Sequence, residues 1–176
     1  MIKIHIMNIN TSARIIAMLV MLQCTTKVFA QNASDTSAIL NIIQGETISW
    51  NKGDAETYSR HFAEDGTFTN ILGIFSIGHK IFQEKHEQIF KSVFLGTELK
   101  QEVVSLKFVR PDVAVVETIG WVSGFKNGPA KGTYLDDKGR LRVRLLQVMT
   151  KDGSDWKIVT YHNVDIKPGI PAPEPH

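Results

Sequence analysis

The sequence predicts a single α+β domain, with three helices in its N-terminal half and an antiparallel sheet that carries them on one face. Two observations predict it. Apolar residues recur at helical spacing as far as Phe94, and beyond Gly96 they alternate with polar ones along four long runs. Short turns separate those runs, so the strands form a meander, and helices followed by consecutive strands place the helices on one face of the sheet. A chain of 176 residues with 43% hydrophobic and 22% charged residues fits one domain with one core.

Residues 1–30 read as a secretory signal peptide. Lys3 and Arg14 make a positive start, Ile15 to Leu22 is an apolar run, and Val28-Phe29-Ala30 is a small-residue cleavage site. An apolar run of that length falls short of the roughly 20 residues that span a bilayer. The expected mature protein is therefore exported, to the periplasm or the medium, and has no membrane partner. Losing Lys3, Arg14 and Lys27 leaves 17 of the 20 Lys and Arg against 18 Asp and Glu, which with no cluster of basic residues argues against a nucleic-acid partner. Cys24, the only cysteine, leaves as well, so no disulfide or thiolate chemistry is expected.

In the mature chain, Ile39, Ile42, Ile43 and Trp50 share one arc of a first helix. Gly53 suits its C-cap, and Asp54 suits the N-cap of a second helix bearing Tyr58 and Phe62. After Asp65-Gly66 comes a short β-prone stretch, Thr67 to Asn70, and Gly73 and Gly78 bracket a loop. A third helix is expected from Lys80 to Phe94, with Ile81, Phe82, Ile89, Phe90 and Val93 on its apolar face. Strands follow at about 99–109, 112–124, 139–151 and 155–165, broken by Arg110-Pro111, a Gly-rich loop around Gly128 and the hairpin signal Asp152-Gly153. The tail from Lys167 to His176, with four prolines in ten residues, is expected to be loose.

The order of these signals is similar to the nuclear transport factor 2-like superfamily. The stretch Trp50 to Asp65, with its Gly-Asp between helices, Gly73 and Gly78 before the third helix, and the closing Trp156-Lys157-Ile158-Val159-Thr160-Tyr161-His162 carry the resemblance. It covers about residues 34–166 and looks closest to the SnoaL-like group of the SgcJ/EcaC type. The resemblance implies a cystatin-like cone, in which three helices fill the concave face of a curved antiparallel sheet and enclose a pocket. It also implies a homodimer paired through the outer sheet face, and Leu146, which alternates with Leu145 on the run 141–149, leaves that face partly apolar. It implies no single reaction, because the fold hosts isomerases, dehydratases and binding modules alike.

Five residues are candidates for the pocket. His86 lies near the middle of the third helix's apolar arc, and His162 shares one face of the last strand with Trp156, Ile158 and Thr160 by period two. The two are expected to line one cavity, where an imidazole suits acid or base work. Trp121, on a run with Val113, Val115, Glu117 and Ile119, either walls the pocket or packs in the dimer interface. Glu46 lies within the arc of Ile39, Ile43 and Trp50 and so faces the interior, free to pair with His86 or His162. Alignment with the ketosteroid isomerase pattern places Glu46 where that family has an oxyanion-stabilising Tyr, and Asn70 where it has its general-base Asp. An amide is no base and an ionised Glu repels a developing enolate, so that proton shuttle is not expected.

Asp65 reads as a turn former, and His61 and His79 as surface residues. No His-x-His or H-E-x-x-H spacing exists, and neither metal nor cofactor is expected. The expected partner is a small, partly apolar organic molecule. Binding without turnover, and cofactor-free acid–base catalysis in the same cavity, both remain open on the sequence, as does a dimeric interaction module with a filled core.

Overall fold

The structure is a computed structural model and describes residues 33–176. The expected signal peptide and Cys24 lie outside the described residues. Residues 33–37 are helical and stand apart from the unit formed by residues 38–176, which the account below concerns.

Within that unit α1 covers residues 38–52 and α2 is Ala55–Ser59. They are followed by β1 (Phe62–Thr69), β2 (Phe75–Ile77), α3 (His79–Phe90), β3 (Glu98–Arg110), β4 (Val113–Ser123), β5 (Leu141–Asp152) and β6 (Asp155–Asp165). The six strands form one open sheet in the order β2-β1-β6-β5-β4-β3. It is mixed: β1 runs parallel to β6, while every other pair is antiparallel. This corrects the expected all-antiparallel sheet, and the cause is the N-terminal crossover, which brings β1 alongside the last strand.

α1 buries Ile39, Ile42, Ile43, Glu46 and Ser49, spaced three and four apart as one helical face requires. It ends at Gly53, whose φ of 67° only glycine adopts freely. Asp54 then caps α2, its carboxylate accepting from the Thr57 N–H at 3.0 Å. The expected second helix through Phe62 is cut to five residues. The chain turns at Arg60-His61 and pairs with β6 instead, the His61 carbonyl accepting from the Ile158 N–H at 2.7 Å.

Residues 75–77, expected as loop, form β2 on the edge of β1. α3 buries Phe82, His86 and Phe90, a stripe at intervals of four that leaves Ile81 exposed. The Phe82 ring stacks on Phe62 at 4.0 Å, and burying a side chain of this size contributes on the order of 2–3 kcal/mol. The inner face of β4 carries Ala114, Val116, Thr118, Gly120 and Val122, and that of β5 carries Leu141, Val143, Leu145, Gln147 and Met149.

The tail has fixed partners, against the expectation that it is loose. It takes neither helix nor strand, as its prolines require, yet Arg142 donates to the carbonyls of Lys167 and Ile170, and Arg140 and Lys138 donate to Glu174. Ile166 and Ala172 pack on Ile119 and Trp121 of the outer sheet face.

Candidate functional site

A cavity of about 290 Å³ opens between α3 and the inner sheet face. Its wall is aromatic and aliphatic, with Trp50, Tyr58, Phe68, Phe94 and Tyr161 among its lining, and Lys85 is the one ionised side chain on it. His86 enters this wall mid-helix, 4.6 Å from the Tyr58 ring and 5.7 Å from Phe68, centroid to centroid. Its Nδ1 donates to the Phe82 carbonyl at 2.7 Å, which fixes the tautomer, because a carbonyl can only accept. Nε2 is left as an acceptor without a partner among the described residues. Burial among aromatic rings pushes the imidazole down to about 4, so it is neutral at pH 7.

Beside it, the Tyr58 and Tyr161 hydroxyls stand 2.6 Å apart, both buried. One donates to the other, so one hydroxyl hydrogen of the pair is free for a further acceptor. Desolvation by burial holds both phenols well above their ordinary range, and the bond to Tyr161 offsets it only in part at Tyr58. Deeper polar groups are Gln101, donating to the Thr118 hydroxyl at 3.0 Å, and Asn163, whose Oδ1 is buried without a partner. Asn70 lines the cavity, and its Oδ1 is occupied by the N–H groups of Leu72 and Ile74, which closes the turn after β1.

Glu46 faces the interior but pairs with neither histidine. Gln147 Nε2 donates to both of its oxygens, at 2.8 and 2.9 Å. Desolvation outweighs the Gln147 and Gln101 amides and raises the carboxyl to about 8, so Glu46 is protonated at neutral pH. It does not line the large cavity. With Tyr58 it lines a second one, of about 170 Å³, on the α1–α2 side.

His162 and Trp121 are corrected. A β-bulge at Val159 puts one extra residue in β6, because Val148 pairs with Thr160 while Met149 pairs with Ile158. The bulge flips the alternation. Tyr161 and Asn163 turn inward and His162 lies exposed on the outer face, across the sheet from His86. Trp121 is likewise on the outer face of β4, under Ile166 and Ala172, so it is no wall of the pocket. Glu117 on that face pairs with Arg144 at 2.7 Å. Among the described residues no three His, Cys, Asp or Glu side chains converge as metal ligands would. Sequence reasoning missed Tyr58, Tyr161 and Gln147. Only Gln147 had left a signal, as an amide at an inward position of an unbroken apolar alternation.

No family model matches the chain, and no curated protein does. Solved structures do. A cystatin-like domain of unknown function from Nostoc punctiforme is 26% identical, with a TM-score of 0.64 over 76% of this chain and 78% of that one. A nuclear transport factor 2-like protein of unknown function from Shewanella oneidensis is 18% identical, with a TM-score of 0.61 over 74% and 99%. The fold is that of the nuclear transport factor 2-like superfamily. A ketosteroid isomerase-like protein from Erwinia carotovora atroseptica is 17% identical, with a TM-score of 0.60 over 75% and 96%. At these identities the likeness concerns the nuclear transport factor 2-like fold, and the arrangement of Glu46, Gln147, Tyr58, Tyr161 and His86 is read from this chain alone.

Proposed function

We propose that the protein binds a small, partly apolar organic molecule in the large cavity, with His86 accepting a hydrogen bond from it and the Tyr58–Tyr161 pair offering one. The observation that carries this reading is His86 in the wall of a 290 Å³ cavity, with its Nδ1 held by the Phe82 carbonyl and its Nε2 thereby left in the acceptor form. A ligand hydroxyl or N–H that donates to it contributes roughly 0.5–1.5 kcal/mol. The apolar walls supply affinity and the few polar groups supply orientation.

Proton abstraction by His86 is disfavoured, because a group that titrates near 4 holds a proton poorly at pH 7. The proton in this interior sits instead on Glu46 and the two phenols. The ketosteroid isomerase-like relative makes proton transfer on a bound molecule the extension to test, with those groups as donors.

The test uses a panel of neutral hydroxylated ring compounds and follows binding by calorimetry. Replacing His86 by Gln is expected to weaken binding roughly tenfold, the loss of one well-placed hydrogen bond, whereas His162→Gln is expected to leave it unchanged. Equal affinity in wild type and His86→Gln would remove His86 from the site.

Export and dimerisation belong to the same proposal. The signal-like residues 1–30 support a mature start near Gln31, which N-terminal sequencing of secreted protein checks; retained Met1 contradicts it. Exposed Leu146 and Val164 on the outer sheet face support a homodimer. Light scattering checks it, and a monomeric mass at micromolar concentration counts against it.

A further inference from the structure

Two cavities meet at one partition. Tyr58 lines both, Glu46 lines the smaller, and the Tyr58 hydroxyl is bonded to Tyr161, which lines the larger. The smaller cavity is completed by Asn41, Ile42, Gly45, Thr57, Arg60 and His61, of which Asn41 and Arg60 are exposed. It therefore leads from the protein surface between α1 and α2 to a carboxyl that is itself 3% exposed.

Gly45 sits in the interior of α1, where glycine costs about 1 kcal/mol relative to alanine. Packing does not demand it: a Cβ there would meet nothing within 4 Å. Gly120 in β4 shows the contrast, since its Cβ would stand 3.0 Å from Val143 and 3.4 Å from Leu99. Gly45 is a helix-weakening residue that lines the smaller cavity together with Glu46 and puts no side chain into it.

We propose that the smaller cavity is a water port, kept open by Gly45, through which Glu46 exchanges its proton with solvent from behind while a ligand occupies the larger cavity. A water in the port takes the carboxyl proton or returns it. On the other side, the one free hydroxyl hydrogen of the Tyr58–Tyr161 pair donates a hydrogen bond to the ligand's acceptor oxygen, and no proton leaves either phenol. That contact rests on the large cavity being a ligand site. The port does not.

The ionisable groups around Glu46 are Tyr58 and Tyr161, with Arg60 and His61 on the port wall. Desolvation lowers His61, so it is not a competing cation at neutral pH. Its Nδ1 is buried without a partner, an acceptor suited to a port water.

The experiment is infrared spectroscopy of the whole mature protein after a rapid step from pH 7 to above pH 9. The protonated-carboxyl band that Glu46→Gln lacks is assigned to Glu46, and its rate of loss is read in wild type, Gly45→Ala and Gly45→Leu. The leucine is expected to slow the loss roughly tenfold or more, because with the port plugged the proton waits on local opening of the fold. The alanine, which strengthens the helix, is expected to slow it less and guards against a leucine variant that fails to fold. Both should keep the wild-type equilibrium titration and the wild-type affinity for any ring compound that binds the large cavity. Wild-type rates in both variants would overturn the port, and so would absence of the band at pH 7. Loss of ring-compound binding in His86→Gln with an intact port, or the reverse, separates the two readings.

Discussion

The partition at Glu46 and the wall at His86 are both interior, both ionisable and both uncharged at pH 7, yet they arrive there from opposite sides. Burial raises the acid and lowers the base, so Glu46 keeps its proton and His86 gives its proton up. The difference teaches which group carries the proton in this interior. It is the carboxyl behind the tyrosine pair, and the histidine in the ligand cavity is an acceptor.

The largest effect that would break this comparison is at Glu46. Its folded value of about 8 stands above the ordinary 4.5, so between those pH values the unfolded chain loses a proton that the folded one keeps. Stability therefore falls as pH rises through that window, by on the order of 5 kcal/mol in all. Glu46→Gln is expected to stabilise the protein at pH 8 and to match wild type below pH 4.5, measured by urea unfolding. No gain at pH 8 would mean that the carboxyl is ionised and the comparison wrong.

His86 comes next, with the opposite slope. Its folded value of about 4 lies below the ordinary 6.5, so below pH 6.5 the unfolded chain takes up a proton that the folded one refuses. The stability is present above pH 6.5 and lost as pH falls towards 4, by about 3 kcal/mol. His86→Gln is expected to flatten that loss, and an unchanged acid limb in the unfolding curve would return His86 to an exposed or charged setting. The smallest effect sharpens the link between the two regions. Tyr161→Phe removes the partner of the Tyr58 hydroxyl and is expected to cost about 1–2 kcal/mol at all pH values from 5 to 8. A pH-dependent cost would show that the pair is coupled to Glu46 more strongly than by proximity.

The sheet was legible where one rule acts locally. The run 155–165 was read with its observed bounds, and 112–124 and 139–151 lie within two residues of β4 and β5, because alternation and turn residues define such strands without help from elsewhere. β1 was not legible. Phe62 to Asp65 looks like the end of a helix, and only a partner 96 residues on, Ile158 opposite Phe62, makes it a strand. The site divided in the same way. His86 and Glu46 were read correctly as inward-facing because each lies mid-helix between apolar residues three and four positions away, whereas Ile81, at the margin of the same arc as His86, is exposed. His162 was placed on the wrong face because one extra residue at Val159 inverts everything beyond it, and no residue type announces that bulge. The error concealed Tyr161, the residue that takes the inward place.

The parallel pairing of β1 with β6 also sets an order of events. β6 lies between β1 and β5, so the two N-terminal strands have no edge to join until the last strand is in place. Helices α1 to α3 and the β3–β4–β5 meander can gather early from contacts near in sequence, but the sheet is completed by contacts that span about a hundred residues, the slow kind to form. A ribosome-bound or stalled chain lacking β6 would hold the β1–β2 pair with no third strand to join. A sheet that waits for β6 therefore leaves the chain from β1 to β5 incompletely folded until that strand is made, which suits the export proposed above.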